Sequence, residues 1–380
     1  MQTNRRKLLT QLAGAALLAA CGDVAKATTK LAGAADTADA GAVADGNSAD
    51  VALDSAPVDS APVDSAPVDS AVDASAAGDA AATGLVQDPA GPTAAITPNA
   101  QHYVTSCCSS PTFDPNVWAL QILDHGKVLL TLSWAQLDAL PAKIKEHTLE
   151  CIGTGPFSQS VSNALWTGLP LAELLAQFGV AVPVAKFLKI TGMDGYSTGL
   201  PATDVQRPLW LVWRMNGAEL PLEHGRPARL LVPGRYGMKN PKWLQVIEFT
   251  DDPYKGFWES QGWSDTAVYQ AHTYIRWPRG PENLAIGTLR IHGIAYAGSD
   301  PVAKVEIRID GGDWQPATID YAPGPDIWTL WHLDWPSSHG THVVQARCTT
   351  SGGVTSSANP DGNDYSDGYD GSMMVSFAVQ

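Results

Sequence analysis

Residues 31–90 form a low-complexity segment that restricts where in this chain a folded core can form. They contain 11 Asp and no Lys, Arg or Glu, and the unit Asp-Ser-Ala-Pro-Val occurs three times in succession from Asp54 to Val68. With few large apolar groups and charge of one sign, such a segment cannot bury enough surface to offset its chain entropy. We therefore expect residues 22–90 to be a disordered, extended tether. The sequence leaves open whether its length is selected or whether it is filler.

The first 21 residues have the pattern of an export signal. Arg5 and Arg6 precede a short apolar run, Leu12 to Ala20, and a membrane-spanning helix needs about 20 apolar residues. The paired arginines indicate the twin-arginine route. Leu18 to Gly22 resembles a lipoprotein cleavage box, in which Cys21 becomes the acylated N-terminus. An ordinary secretory leader with an incidental cysteine is the alternative. The pattern predicts a periplasmic or cell-surface protein on a membrane lipid anchor.

The charge and the cysteines exclude several classes of protein. The net charge is −15, and the Asp residues of the tether account for most of it. A nucleic-acid-binding surface would be basic, so we expect no nucleic-acid partner. The remaining cysteines, Cys107, Cys108, Cys151 and Cys348, form no Cys-x-x-Cys pair, which argues against a zinc ribbon and against c-type haem. An oxidising compartment permits a disulfide, but its pairing cannot be derived from the sequence.

The chain after residue 90 has two parts that differ in predicted secondary structure. Strand patterns of residues 91–270 mix with helical ones at Trp134–Leu140 and Leu171–Phe178. Strands are predicted at Trp118–Ile122, His147–Ile152, Phe187–Ile190, Trp210–Met215, Arg229–Val232 and Gln245–Phe249. From about Thr273 the pattern is all β, with strands at Leu289–Tyr296, Ala303–Ile309, Trp328–Leu333, His342–Arg347 and Met373–Val379. We predict an α+β protein, in which a mixed domain (91–270) precedes an all-β immunoglobulin-like sandwich (271–380).

Two features carry chemistry. Cys151 lies where a strand enters the Gly-rich loop from Gly153 to Pro156, and thiolate sulfur is a soft metal ligand, although a lone strand cysteine is usually a small buried residue. Basic residues from His224 to Lys242 interleave with glycines and prolines, and backbone N–H groups with cations in such turns form anion sites. The guest we expect is a phosphate-bearing cofactor; a solvated basic loop is the alternative. The Asp-rich segment Asn359 to Gly371 is either a calcium loop or a solvated loop.

Three segments in this order resemble the molybdopterin-binding domain of the sulfite oxidase family. They are Thr148–Gly153 with Asn163–Leu171, then Met215–Arg229, then Val232–Leu244. The resemblance covers Pro92 to Trp263, and Ile275 to Phe377 resembles the immunoglobulin-like domain that follows in the family. It therefore implies a sulfite-oxidase-type domain with a molybdenum–molybdopterin cofactor.

The resemblance also implies residue roles. Cys151 matches the molybdenum ligand, and Tyr196 matches a tyrosine near the substrate. The cofactor-binding positions are His102, Tyr103, Asp194, His224, Arg229, Gly237, Met238, Lys239 and Lys242. Among these, His224 and Arg229 match contacts to the pterin phosphate, and Gly237 to Lys242 match the loop on the phosphate side.

The chain departs from the sulfite oxidisers at two places. They have Cys-Ala-Gly-Asn-Arg where this chain has Cys151-Ile152-Gly153-Thr154-Gly155, and Arg-Asn-His where it has Thr105-Ser106-Cys107. Arginine forks hold sulfur oxyanions, so their loss argues against efficient sulfite oxidation. Cys107 or Cys108 is expected near the cofactor, either redox-active or simply packed. Arg276 is expected either at the rim of the active site or in a structural ion pair.

The leading hypothesis is an exported oxidoreductase that transfers two electrons and an oxygen atom to or from a small-molecule substrate, at a metal held by Cys151. Its electrons would pass to an external carrier, a cytochrome or a quinone-linked protein. The resemblance also implies a homodimer through the C-terminal domain. The alternatives are a lipoprotein that binds a cofactor or a surface without turnover, and a reductase of sulfoxides or N-oxides.

Overall fold

The computed structural model describes residues 86–156, 158–205, 207–362 and 364–380. The predicted signal at 1–21, the lipidated Cys21 and the tether up to residue 85 lie outside these residues. The last residues of the range 22–90 are described, and the backbone N–H of Gln87 donates to the carbonyl of Thr288 at 2.8 Å. Within the described residues no helix combines the length and the apolar character needed to cross a bilayer.

Ten strands of the described residues precede residue 251. They are β1 (Ala119–Asp124), β2 (Lys127–Ser133), β3 (Lys143–Glu150), β4 (Val161–Pro170), β5 (Phe187–Gly192), β6 (Ser197–Pro201), β7 (Trp210–Met215), β8 (Ala218–Glu219), β9 (Arg229–Leu231) and β10 (Leu244–Thr250). The helices are short: α1 (Trp134–Asp138), α2 (Leu171–Gln177) and α3 (Ala202–Val205), with 3-10 turns at Asn99–Gln101, Leu222–His224, Gly237–Lys239, Glu259–Gln261 and Tyr365–Asp367. The described chain is mostly β, and its helices are shorter than the α+β prediction implied.

Local sequence explains where the first elements begin and end. His125 and Gly126 both have positive φ, 48° and 79°, as the tight turn between β1 and β2 requires. Helix α1 begins at a capping box: the Ser133 hydroxyl accepts from the backbone N–H of Gln136, whose side chain bonds back to Ser133. Strand β3 ends at Glu150, two residues before the predicted limit, so Cys151 lies just beyond it.

These strands form two sheets. One has the order β2-β1-β10-β5-β6, and the other has the order β3-β4-β7-β8, with β9 also paired to β7. Strand β4 was not predicted, and it lies inside its sheet, between β3 and β7. Gly168 permits this pairing, because a Cβ there would lie 2.0 Å from the carbonyl oxygen of Leu211. A core between the sheets joins Leu120, Leu174 and Trp213, each at most 1% exposed.

Residues 272–379 form two further sheets. The strands are β11 (His272–Trp277), β12 (Asn283–Leu284), β13 (Thr288–Tyr296), β14 (Val302–Ile309), β15 (Gln315–Pro316), β16 (Thr318–Tyr321), β17 (Thr329–Pro336), β18 (Gly340–Thr350) and β19 (Met374–Val379). Their orders are β11-β13-β17-β16 and β12-β19-β18-β14-β15. Both sheets bury side chains in one core, which also takes in Ile152, Tyr236 and Met238 from the first part of the chain. The loops after β3 and β9 are therefore packed against the second pair of sheets.

The loop from Val232 to Pro241 is organised by the buried side chain of Asn240. Its Oδ1 accepts from the Val232 N–H at 2.6 Å, and its Nδ2 donates to the carbonyls of Arg235 and Tyr236, both at 2.9 Å. Arg235 is also held by Asp204 through two bonds of 2.6 and 2.8 Å. Because these polar groups are buried, each needs a hydrogen-bond partner within the protein, and the observed conformation of the loop supplies those partners.

We expect Asn240→Ala to lower the free energy of unfolding by about 3 kcal/mol, because three buried backbone groups lose their partners. The exposed Asn116→Ala is the matched control and should change it by less than about 0.5 kcal/mol. Denaturant unfolding of both variants measures the difference. Equal stability of the two variants would contradict the assigned role of Asn240.

Candidate functional site

A cleft with about 880 Å³ of empty volume, counted to its solvent-open mouth, lies where the loops of both N-terminal sheets meet. Ten of the eleven site residues predicted from the sequence line it: His102, Tyr103, Cys151, Asp194, Tyr196, His224, Arg229, Gly237, Met238 and Lys242. They come from five separate stretches of chain, so only the fold brings them together.

Lys239 is the predicted site residue that does not line the cleft. It is 1% exposed, its Nζ donates to the Gly199 carbonyl at 2.9 Å, and it forms an ion pair with the Glu259 carboxylate. The 3-10 turn Gly237–Lys239 presents Gly237 and Met238 to the cleft and directs Lys239 into the protein. This corrects the predicted phosphate-side role of Lys239, which instead fixes the turn from behind.

Cys151 is a free thiol at one end of the cleft. Its backbone N–H donates to the Ser160 carbonyl at 3.0 Å, which holds the loop that follows β3. Burial raises the pKa of the thiol, and hydrogen bonds with the Gly153 backbone and the Thr105 side chain oppose this. Gly153 packs closely against Trp263, because a Cβ there would lie 3.2 Å from the ring of Trp263. The sulfur is thus held at a fixed place on the cleft wall.

Arg229 is a buried cation at another part of the wall. Its Nη atoms donate to the carbonyls of His224 and Asn240, at 3.1 and 3.0 Å, while its buried Nε has no hydrogen-bond partner. Burial lowers the pKa of Arg229 to about 10, so the guanidinium stays charged at neutral pH. It forms no ion pair with any residue in the described ranges. A charge buried in this way calls for an anionic partner.

Two histidines lie beside this guanidinium. The rings of His102 and His224 are 5.0 Å apart, edge to face. Burial lowers the pKa of His102 to about 3, so its ring is neutral; its Nδ1 bonds the Tyr103 carbonyl at 3.1 Å, and its Nε2 is buried without a partner. The Nε2 of His224 bonds the Asn99 carbonyl at 3.0 Å, which fixes the ring. With Nδ1 of His102 donating, its free Nε2 is an acceptor.

Lys242 is a second cation on the cleft wall. Its Nζ donates to the Ser106 hydroxyl at 2.6 Å and to the Glu223 carbonyl at 2.8 Å. Burial, and then the positive charge of Arg229, lower the pKa of Lys242 to about 7. At neutral pH this amine therefore exchanges its proton readily, and a nearby anion would favour the charged form.

Asp194 and Tyr196 occupy the turn between β5 and β6. The Asp194 carboxylate accepts from the Tyr196 N–H at 3.1 Å, and burial raises the pKa of this carboxyl group. The Tyr196 hydroxyl donates to the Met238 carbonyl at 2.5 Å, and burial holds its pKa well above the usual range. Tyr196 therefore connects this turn to the loop of Gly237 and Met238 as a neutral phenol.

Several cleft residues were not predicted. Trp258 and Trp263 line it, and no motif in the sequence marks them; Thr105 and Asn240 also line it, from within the segments Thr105-Ser106-Cys107 and Val232–Leu244 named above. Cys107, which had been expected near the cofactor, does line the cleft, and it forms a disulfide with Cys108. In contrast, the described residues of 359–371 contain no group of three His, Cys, Asp or Glu side chains close enough together to share a metal ion.

The chain is similar to known molybdopterin-binding oxidoreductases. Residues 108–258 match the model of the oxidoreductase molybdopterin-binding domain. Human mitochondrial sulfite oxidase is 28% identical over 301 residues, covering 67% of this chain and 55% of the relative. The NADPH nitrate reductase of Beauveria bassiana is 27% identical over 238 residues, covering 46% of this chain and 26% of the relative. The chain thus spans about half the length of the curated sulfite oxidase it matches.

A solved structure shows the same fold. The crystal structure of the sulfane dehydrogenase SoxCD from Paracoccus pantotrophus superposes with a TM-score of 0.66 at 23% identity, covering 76% of this chain and 85% of that one. The domain match, the relatives and this fold agree with one another. Residues 108–258 thus match a molybdopterin-binding oxidoreductase domain, whose cofactor is molybdenum–molybdopterin, and the chain is similar to members of the sulfite oxidase family.

Proposed function

We propose that this protein is an exported molybdenum-cofactor oxidoreductase that performs two-electron oxygen-atom transfer on a small substrate. The observation that carries the proposal is the shared cleft: a free thiol, Cys151, and two cations without carboxylate ion pairs, Arg229 and Lys242, line it together. A thiolate suits a soft metal, and buried cations suit a phosphate. The cofactor of the family has both groups in one molecule.

The residues of the cleft fit this cofactor. The unpartnered Nε of Arg229 and Nε2 of His102 offer one donor and one acceptor to a polar guest. A phosphate between Arg229, His224 and Lys242 would neutralise charge that the protein alone leaves uncompensated.

Each side chain then has a task. Cys151 would hold the metal through its thiolate, and binding would remove the thiol proton. Arg229, His224 and Lys242 would hold the phosphate, while Asp194 and His102 would orient the ring system. When bound, the cofactor supplies two-electron redox chemistry coupled to oxygen-atom transfer. Tyr196 would remain neutral and position the Met238 side of the cleft.

The wall near Cys151 bears on the choice of substrate. The two positions at which sulfite oxidisers carry arginines are here Thr105 and Gly155, and the loop after Cys151 has no charged side chain. Without guanidinium forks, a doubly charged oxyanion is held less strongly than a neutral or singly charged molecule. This supports a substrate other than sulfite, and it keeps a sulfoxide or N-oxide reductase as the second candidate. A binding lipoprotein without turnover is the third.

We also propose the cellular setting. Arg5-Arg6 and Cys21 support export of an already folded, cofactor-loaded protein by the twin-arginine route, followed by lipid anchoring. The Asp-rich segment 22–90 would keep the body at some reach from the membrane, where a cytochrome or quinone-linked carrier accepts the electrons. We propose residues 91–270 as the catalytic domain and 271–380 as an immunoglobulin-like domain that pairs two subunits.

We expect Cys151→Ser to reduce turnover at least about 100-fold, because a hydroxyl is a poor substitute for the thiolate ligand. The measurements are molybdenum and pterin content of the purified protein and oxidation of a panel of small substrates with a dye acceptor. Wild-type protein should contain about one molybdenum per chain.

Cys348→Ser is the matched control, because this second free thiol is fully buried away from the cleft. It should keep the cofactor and the turnover. Full activity of Cys151→Ser, or a wild-type protein purified without molybdenum from a cofactor-competent host, would overturn the enzyme proposal. Turnover of reduced dye with an N-oxide, but none in the oxidative direction, would favour the reductase.

The lowered pKa of Lys242 predicts that the stability of the cofactor-free protein depends on pH. Its pKa is about 7 in the folded protein and 10.5 unfolded, so the unfolded chain binds more protons between these values. Below pH 7, the buried charged amine therefore lowers the free energy of unfolding by its full amount. This destabilisation disappears as the pH rises towards 10.5. Lys242→Met should therefore raise the melting temperature relative to wild type more at pH 6 than at pH 10.

The exposed Lys186→Met should shift the melting temperature by a similar small amount at both pH values. In the loaded protein, Lys242→Met should release the cofactor faster, since a phosphate contact is lost. A pH-independent effect of Lys242→Met would show that its amine is not buried as described.

Export is tested by replacing Arg5 and Arg6 together with lysine. The protein should then remain in the cytoplasm, because the twin-arginine receptor reads the pair. Separately, Cys21→Ser should move the exported protein from the membrane to the soluble fraction after cell fractionation. Unchanged export of the first variant, or unchanged membrane association of the second, would contradict these assignments.

A further inference from the structure

A second cavity, with about 1,200 Å³ of empty volume counted to its open mouth, lies beside the cleft. Tyr103 lines both, so its side chain is part of the wall between them. Three groups of residues line the second cavity: the segment from Ala90 to Gln101, the start of β4 and the end of β11 with the residues that follow. The proposed function uses none of its charged side chains.

Arg276 is directed to this cavity by an irregularity in its strand. β11 pairs with β13 through Ile275 and Gly293, but the next pair is Trp277 with His292, so the register shifts at Arg276. Such bulges turn one side chain out of the regular alternation of a strand. Arg276 therefore lines the cavity, although both its neighbours in the chain are buried.

The guanidinium of Arg276 has few partners of its own. Its Nε is buried with no hydrogen bond, and its Nη2 reaches the Val161 carbonyl only at 3.5 Å. Within the described ranges, the guanidinium of Arg276 forms no ion pair with a carboxylate. Burial and the nearby charge of Arg279 lower the pKa of Arg276 to about 10, so it remains a cation. The charged residue that affects Arg276 most is therefore Arg279, and the interaction is repulsive.

Arg279 supplies a second guanidinium at the same cavity. It is exposed, its Nε donates to the Arg276 carbonyl at 3.2 Å, and it too lacks a carboxylate ion pair in the part of the chain that is described. The acidic residue lining the cavity is Glu282, whose Oε1 accepts from the Arg279 backbone N–H at 3.2 Å. Asp88, close by, lies 3.4 Å from His292. In the described residues neither carboxylate forms an ion pair with the two guanidiniums, although Oδ1 of Asp88 and Oε2 of Glu282 are both buried without a hydrogen-bond partner.

We propose that the second cavity is a binding site for a small oxyanion, held by Arg276 and Arg279. Guanidinium groups match the oxygens of sulfate-like and phosphate-like anions through paired N–H bonds, and a dianion would neutralise both charges. The site is separate from the cofactor cleft and does not depend on the proposed catalysis. It would concentrate oxyanions next to Tyr103, on the side of the protein where the usual arginines of the cleft are missing.

The test titrates the cofactor-loaded protein with sodium sulfate, replacing chloride so that the ionic strength stays constant. Loading is needed because Arg229 and Lys242 in an empty cleft would also bind sulfate. Calorimetry measures binding, and Trp277 and Trp328, which line the cavity, give a fluorescence signal. We expect saturable binding at one site per chain, weakened at least about tenfold by Arg276→Gln and also weakened by Arg279→Gln.

Arg347→Gln is the matched control, because it removes one positive charge that is already paired with Glu306. It should leave sulfate affinity within about twofold of wild type. Arg276→Lys, which keeps the charge but loses the fork, should bind with intermediate affinity, and it serves if Arg276→Gln fails to fold. Absence of saturable binding by the wild-type protein, or equal affinities of the Arg276 and Arg347 variants, would refute the site.

A crystal of the loaded protein grown with selenate gives a direct readout. An anomalous selenium peak at hydrogen-bond distance from Arg276 supports the proposal. A peak confined to other surfaces, with none in this cavity at the same selenate concentration, overturns it.

Discussion

The buried carboxylate of Glu150 is the constraint on which the arrangement of the site depends. It is fully buried at the end of β3, accepts from the Tyr274 hydroxyl at 2.8 Å and lies 3.2 Å from the Nε2 of His272. Burial acts to lower the pKa of His272, but the Glu150 charge outweighs it and the pKa is raised. Because an unpaired buried carboxylate costs several kcal/mol, about 3–5 when a partner is removed, β3 and β11 must stay together. Cys151, the next residue, is thereby held against the second pair of sheets.

In contrast to Glu150, the buried cations that line the cleft have no charged partner in the described residues. There, Arg229 is surrounded by carbonyl oxygens and has no counter-charge, while Lys242 titrates near neutrality. A bound anion stabilises loops that carry such cations, because the ligand supplies the negative charge that the protein lacks there. A free thiol and two cations that lack ion pairs with the described residues line this one cleft, and Asn240 holds the loop from Val232 to Pro241 in one shape.

Some of these features were predictable and others were not. The strands β7 and β10 follow from runs of apolar residues with turn signals, and the cleft residues follow from motifs that match a family. Strand β4 was missed because its apolar residues are interrupted by Ser162, Asn163 and Gly168, whose partners belong to other parts of the chain. Lys239 was placed wrongly because a sequence gives the order of side chains in a turn but not the face each one takes.

Sequence alone determined the low-complexity segment, the candidate export and lipidation signals, the succession of a mixed part and an all-β part, and ten of the residues that line the cleft. These depend on composition and on short-range pattern, which are local properties. Only the tertiary structure decided that Cys107 and Cys108 bridge each other at the cleft, that Glu150 joins β3 to β11, and that a bulge directs Arg276 to a second cavity. The two residues that hold the Glu150 carboxylate, Tyr274 and His272, lie more than 100 positions away from it in the chain, and no local pattern records such contacts.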